Sequence, residues 1–218
     1  MIKAVVFDAD GTLFNSFELI VGAYHHVATS HGLQPPTAEQ VREQLGLAKS
    51  LPDIYRTFFP NAAIDRLVEA NGEYIAANTT SAAAFEGLED TLSALRDMGL
   101  SLAILTGGGH KVQQVLAEHG IADYFGSVVH HERVQQGKPH PEGFLLIAQE
   151  LGVPPEAMIM VGDSPNDIAA GKNGGAAATI GITHGNASRE DLQTAGADYL
   201  VDSLAECLAR VRILTSKQ

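Results

Sequence analysis

The sequence contains a single cysteine, so no intramolecular disulfide can form and nothing points to an oxidising compartment. Cys207 lies in LAECLARVRIL, where Leu204, Cys207, Leu208 and Val211 share one helical stripe, the pattern of a core thiol. Cations are also scarce: 14 Lys and Arg stand against 26 Asp and Glu, a formal net charge of −12. That balance excludes the basic face that a nucleic acid or an anionic membrane would need. It does not exclude a small anionic substrate, because a metal ion or one lysine reverses the field locally. No apolar run approaches the ~20 residues of a membrane span. The first residues lack the charged, apolar and small-residue regions of a signal peptide, so a cytoplasmic location is expected. Internal repeats and low-complexity tracts are absent too.

What is present is ordinary for a soluble globular enzyme: 218 residues, 45% hydrophobic and 18% charged, enough for one large domain or a core with a smaller one. Short apolar runs predict strands at IKAVVFD, LSLAILT (100–106), YFGSVVH (124–130), AMIMVGD (157–163) and AAATIGI (176–182), with a short last one at ADYLV (197–201). Helical patterns separate them at 88–99, 110–120, 141–152 and 164–175, and Gly99, Gly120 and Gly152 fall where helix C-caps belong. Unbroken apolar strands alternating with helices predict an α/β fold, a Rossmann-like parallel sheet covered on both faces. Residues 15–82 break that rhythm with several helical stretches and no strand signal. They predict an inserted all-helical cap, with residues 1–14 and 83–218 forming the core. Monomer and homodimer are both open.

In open α/β sheets ligands bind beyond the carboxyl ends of the strands. The residues at those ends are Asp8 and Asp10, then Thr106 with Gly107 and Gly108, and Gly162 with Asp163, while Lys138 lies on the loop after the third strand. Asp8 and Asp10 are the most telling, since two carboxylates at the mouth of a buried strand are costly unless compensated.

Four segments, FDADGTLFNS, LT at 105–106, GKPHPEG at 137–143 and VGDSPNDIAAGKNGG at 161–175, resemble in order the motifs of the haloacid dehalogenase-like superfamily of phosphatases. The likeness extends over essentially the whole chain, cap included, and is nearest to the phosphoglycolate phosphatase-like branch. It implies a phosphatase acting on a small phosphorylated metabolite through an aspartyl-phosphate.

The residue chemistry is compatible. Asp8, held rigidly at a strand end, suits an in-line nucleophile, and Asp10, two residues on, suits the acid that protonates the leaving oxygen and then the base that activates water. Gly11 and Thr12 allow the sharp exit from the strand, with Thr12 tying the turn. Asp163 and Asp167 are hard oxygen ligands of the kind that suits Mg²⁺, and both also suit a helix N-terminus, where Ser164 would be the N-cap. The resemblance implies that Asp8 and Asp163 bind the metal through carboxylates, Asp10 through its carbonyl, and Asp167 directly or through a water. It implies further that Thr106 and the amides of Gly107 and Gly108 hold the phosphoryl oxygens, and that Lys138 neutralises both phosphate and nucleophile. The chain departs from the family at Gly107, where Asn is common, which removes one side-chain contact. His110 follows as a helix-start residue at the pocket rim or as a pocket contact. In the cap, Lys49 is the candidate for a second anionic group on the substrate.

A phosphosugar mutase of the β-phosphoglucomutase type is the alternative, though its cap Arg and Lys arrangement is not found. Dehalogenases and phosphonate-cleaving relatives lack an acid at the position of Asp10. A signalling receiver also gathers Asp, Thr and Lys around Mg²⁺, but is nearer ~120 residues and has no helical insertion after its first strand.

Overall fold

The computed structural model describes residues 1–47, 49–78 and 82–216; Ala48 and residues 79–81, which fall in the expected cap, lie outside them. Six parallel strands form the central sheet: β1 (Ala4–Phe7), β4 (Ser101–Leu105), β5 (Phe125–Val129), β6 (Met158–Gly162), β7 (Ala178–Ile182) and β8 (Tyr199–Val201). Their order is β5-β4-β1-β6-β7-β8. The first strand is therefore central and the chain steps outward on one side, then on the other, which is the doubly wound arrangement. β1, β4, β6 and β7 are apolar almost throughout because both faces are covered. Val5, Phe7, Ile104 and Ile180 point into one core, with Leu92 and Leu95 of α5 (Leu88–Asp97) and Cys207 of α10 (Leu204–Ser216). Val6, Ala103 and Met160 point into the other, with Phe144 and Ile147 of α7 (Glu142–Leu151). Cys207 is fully buried, as its stripe predicts, and burial pushes its thiol up to about 12.

Gly99, Gly120 and Gly152 all take φ between 63° and 78° at or just past helix ends. A side chain there would strain the turn that sends each helix back to the sheet. The remaining core helices are α6 (Val112–Glu118), α8 (Pro165–Asn173) and α9 (Arg189–Thr194).

Between β1 and β4 lie α1 (Phe17–Ser30), α2 (Ala38–Gly46), α3 (Leu51–Phe58) and α4 (Ile64–Asn78). They carry a hydrophobic cluster of their own, including Tyr24, Val27, Val41, Ile54, Tyr55 and Leu67. Local chemistry starts α2 and α3: Thr37 and Gln40 form a reciprocal capping box, and the Ser50 hydroxyl accepts from the Asp53 amide.

One element differs from the sequence reading. Phe14–Asn15 (β2) and Ala83–Ala84 (β3) pair antiparallel where the chain leaves and re-enters the core, so the segment from residue 15 is not free of strand. Two residues are too few to show a period-2 pattern. No helix among the described residues is long and apolar enough to cross a membrane.

Candidate active site

Register sets the site. Phe7 pairs with both Ile104 and Val161, so the chain emerges from β1, β4 and β6 at one height. The Asp8 amide donates to Val161 O at 2.9 Å and the Thr106 amide to Val129 O at 2.9 Å. These bonds hold both residues one step beyond the sheet. Gly11 takes φ 80°, and a Cβ on it would run into the Asp163 carboxylate. The Asp-Gly-Thr turn thus brings backbone against the β6 exit, which only glycine permits.

Lys138 crosses from the loop after β5 into this opening. Its Nζ donates to Asp8 Oδ1 at 2.6 Å, to Asp167 Oδ1 at 2.5 Å and to the Leu105 carbonyl at 3.0 Å. Asp167 is fully buried in the first turn of α8. Its other oxygen, Oδ2, accepts from the Ser164 amide at 3.0 Å and the Ser164 hydroxyl at 2.6 Å, while Ser164 caps the helix. Asp167 therefore serves as both helix-capping and site carboxylate.

Asp163 is held by residues that the sequence reading missed. Its Oδ2 accepts from the Asn186 amide at 2.7 Å and Asn186 Nδ2 at 2.9 Å, from the loop after β7. A Cβ on Gly185 would collide with Asp163 and the Gly11 carbonyl. The Thr12 hydroxyl reaches Asp163 Oδ1 at 3.5 Å, pointing across the site rather than tying its own turn. Signals for Gly185 and Asn186 exist only in their position at a strand end, as for Asp163.

Ligand atoms of Asp8, Asp163 and Asp167 lie within 4.8 Å of one another, all three residues buried. Burial raises Asp8 well above the usual carboxylate range, reinforced by Asp167 and opposed by Lys138. Burial and Asp167 likewise lift Asp163 to about 7, against the Asn186 donors. For Lys138, burial alone would lower the pKa, but the Asp167 and Asp8 carboxylates hold it above the ordinary lysine value. One ammonium cannot balance three buried carboxylates. A hard, oxygen-only donor set with this deficit of positive charge fits a divalent cation. Asp10 is also raised by burial, opposed by the Ser16 hydroxyl, Lys138 and the Thr106 hydroxyl.

A cavity of about 720 Å³ opens from these groups towards the inserted helices; Asp8, Asp10, Thr106, Gly107, Gly108, Lys138 and Asp163 line its floor. Asp167 does not itself line the cavity, though Lys138 and Ser164, which both bond it, do. The Gly108 amide donates to Thr106 Oγ1 at 2.9 Å, folding the phosphate-loop candidate onto itself. Gly107 has open space where a side chain would project. His131 donates through its amide to the Gly108 carbonyl at 3.1 Å, and its Nδ1 lies 2.9 Å from the same oxygen. Glu132 accepts from His110, whose Nδ1 is 3.0 Å away. His110 is thus a rim residue tied to the β5 exit. Lys49, between α2 and α3, also lines the cavity, its ammonium bonded to Gln44 Oε1 at 2.7 Å and Thr57 Oγ1 at 3.3 Å.

The family profile of haloacid dehalogenase-like hydrolases matches residues 2–175. The chain belongs to that family. It is 32% identical to a phosphoglycolate phosphatase of Vibrio vulnificus, over 95% of each chain. It is 29% identical to the pyrophosphatase PpaX of Anoxybacillus flavithermus, over 95% of this chain and 96% of that one. A haloacid dehalogenase-like protein of Streptococcus pneumoniae shares the fold, with a TM-score of 0.86 at 24% identity over 96% of this chain and 98% of that one. Family membership and full-length relatives make this haloacid dehalogenase-like chain a phosphatase.

Proposed function

We propose that the protein is a Mg²⁺-dependent phosphatase that hydrolyses a small phosphorylated metabolite through an aspartyl-phosphate on Asp8. The observation that carries this reading is the Lys138 bridge between Asp8 and Asp167, with Asp163 alongside. It leaves one carboxylate at a strand tip facing a cavity and short of positive charge.

In the first half-reaction an Asp8 carboxylate oxygen attacks phosphorus in line with the departing alcohol. The bond between phosphorus and the ester oxygen breaks, and protonated Asp10 gives its proton to that oxygen. The burial that raises the Asp10 pKa keeps the proton available. In the second half a water attacks the phosphoryl group, Asp10 takes back a proton, and the bond from phosphorus to the Asp8 oxygen breaks. Inorganic phosphate leaves and both carboxyls return to their starting states. Lys138 holds Asp8 in place and offsets charge on the phosphoryl oxygens, and Thr106 with the Gly107 and Gly108 amides orients them. A magnesium ion held by Asp8, Asp163, the Asp10 carbonyl and, directly or through water, Asp167 would supply the missing positive charge. Residues 15–82 serve as the cap that encloses the substrate, and 1–14 with 83–218 as the catalytic core.

The test is phosphate release from a panel of phosphate monoesters with Mg²⁺, comparing the native enzyme with Asp8→Asn. The names of the relatives nominate phosphoglycolate and pyrophosphate as first probes. Loss of turnover by several orders of magnitude is expected; retention of most of it would rule out covalent catalysis through Asp8. Interconversion of a sugar phosphate without net phosphate release would assign a mutase instead.

A further inference from the structure

We propose that the substrate is the phosphate ester of an alcohol with an apolar body, rather than of a small hydroxy acid or of a molecule with a second phosphate. The inference rests on the phosphatase reading above and concerns what the cap side of the cavity recognises.

Size is the first argument. At about 720 Å³ the cavity falls in the range, roughly 300–1,000 Å³, that encloses ligands far larger than a two-carbon phosphorylated acid. Its walls are the second. Leu19 and Ile20 of α1, Leu51 and Ile54 of α3, and Val112 and Val115 of α6 all line it. These side chains offer surface to pack on and no donors. A carboxylate or second phosphate enclosed among them would lose hydration without compensation.

The cations are the third argument: of the cap's Arg42, Lys49, Arg56 and Arg66, Lys49 alone lines the cavity, joined there by Lys111 of α6's N-terminal end. Arg42 lies 3.8 Å over the Phe17 ring and donates to the Gly185 carbonyl at 3.0 Å, and Arg56 pairs with Asp53 at 2.6 Å. Neither lines the cavity. Lys49 is held by Gln44 and Thr57, and Lys111 Nζ donates to the Ala76 carbonyl of α4. Of the polar groups on the cap side, the Asn71 amide donates to Tyr55 Oη at 2.9 Å. Tyr24 Oη is fully buried and has no hydrogen-bond partner among the described residues. An oxygen shut off from solvent in this way adds no accessible donor to the cavity wall.

The experiment is a series of ethyl, butyl and hexyl phosphate, with phosphoglycolate alongside, assayed on the native enzyme with Mg²⁺. The three leaving alcohols are nearly equal in acidity, so chain length alone varies. kcat/KM is expected to rise by about fourfold per buried methylene, and hexyl phosphate to exceed phosphoglycolate. Leu19 lines the cavity but belongs to none of the buried clusters. Leu19→Asp should cut the hexyl-to-ethyl ratio of kcat/KM by about tenfold. A flat or falling series with Asp8-dependent hydrolysis intact would overturn the apolar-body inference alone. So would phosphoglycolate as the best substrate with a KM raised by Lys49→Ala. Absence of Asp8-dependent phosphate release from every ester would overturn the phosphatase reading and this inference together.

Discussion

Lys138 and Asp8, 130 positions apart in the chain, meet at 2.6 Å with side chains only 10% and 7% exposed. The same ammonium reaches Asp167 at 2.5 Å, so one buried cation holds two buried carboxylates together. Such a bridge is weak ground for claiming net stability, since desolvation consumes most of the Coulombic gain. Removing one partner is another matter, because the others stay buried and unpaired.

Lys138→Ala is therefore expected to act twice. In the metal-free protein it should cost about 3–5 kcal/mol of unfolding free energy, read by urea titration in the presence of a chelator. With Mg²⁺ added, kcat should still fall by about 10²–10³, because a fixed positive charge beside the phosphoryl oxygens is gone. A variant as stable as the native protein in chelator would show that the bridge does not carry the site's electrostatics.

Asn186 should tune whatever binds Asp163. It donates both its amide and its side chain to one Asp163 oxygen, fixing the carboxylate's direction and opposing the rise in its pKa. Asn186→Ala leaves the backbone donor and removes the other. Mg²⁺ affinity, measured by calorimetry, should weaken by about 10- to 100-fold, as for outer partners of metal ligands generally. An unchanged affinity would place Asp163 outside the metal's reach.

Much of this architecture is legible in the sequence. Apolar runs marked the six core strands because a sheet covered on both faces leaves no polar alternation to confuse the reading. Asp8, Asp10, Thr106 and Asp163 stand out because strand ends are where such a sheet exposes chemistry, and Lys138 because its loop follows the third strand. Gly185 and Asn186 also follow a strand, β7, but neither type is diagnostic: glycine's role there is a close approach to Asp163, visible only in three dimensions. The β2–β3 ribbon is not legible for a different reason, since four residues paired across an insertion carry no local pattern. The engagement of Lys49 by Gln44 and Thr57 likewise depends on how α2 and α3 pack.

Glu132 is expected to matter through the phosphate loop rather than by touching phosphate. Three successive glycines, 107–109, are costly to order, and His131 and Glu132 pin them from the β5 exit through the Gly108 carbonyl and His110. A Cβ on Gly109 would come within 2.8 Å of Glu132 Oε1, so the close contact depends on that glycine. Glu132→Ala should lower kcat by about tenfold, a misplacement effect of modest size, with KM changed less. Glu132→Gln keeps an acceptor for the His110 amide and should recover most of the loss. Equal defects in the two variants would argue for a role of the charge itself.

His184 gives the fold a dependence on acid that is separate from the carboxylate cluster. Its ring stacks on Phe85 with centroids 3.7 Å apart and planes 14° from parallel, and Nε2 lies 3.1 Å from the Thr12 carbonyl. A neutral ring protonated at Nε2 makes that bond while keeping its face on the phenyl group. Burial lowers the pKa below its ordinary 6.5, and the Thr12 carbonyl only partly opposes this. The folded state therefore binds a proton at His184 less readily than the unfolded chain does. The resulting stabilisation is fully present above pH 6.5 and declines as the pH falls through and below that value. Unfolding free energies of the native protein and His184→Gln, measured by urea titration between pH 8 and pH 5, should converge as acid is added. Parallel curves for the two proteins would mean that the ring titrates alike in both states, and that its contacts with Phe85 and Thr12 do not depend on its charge.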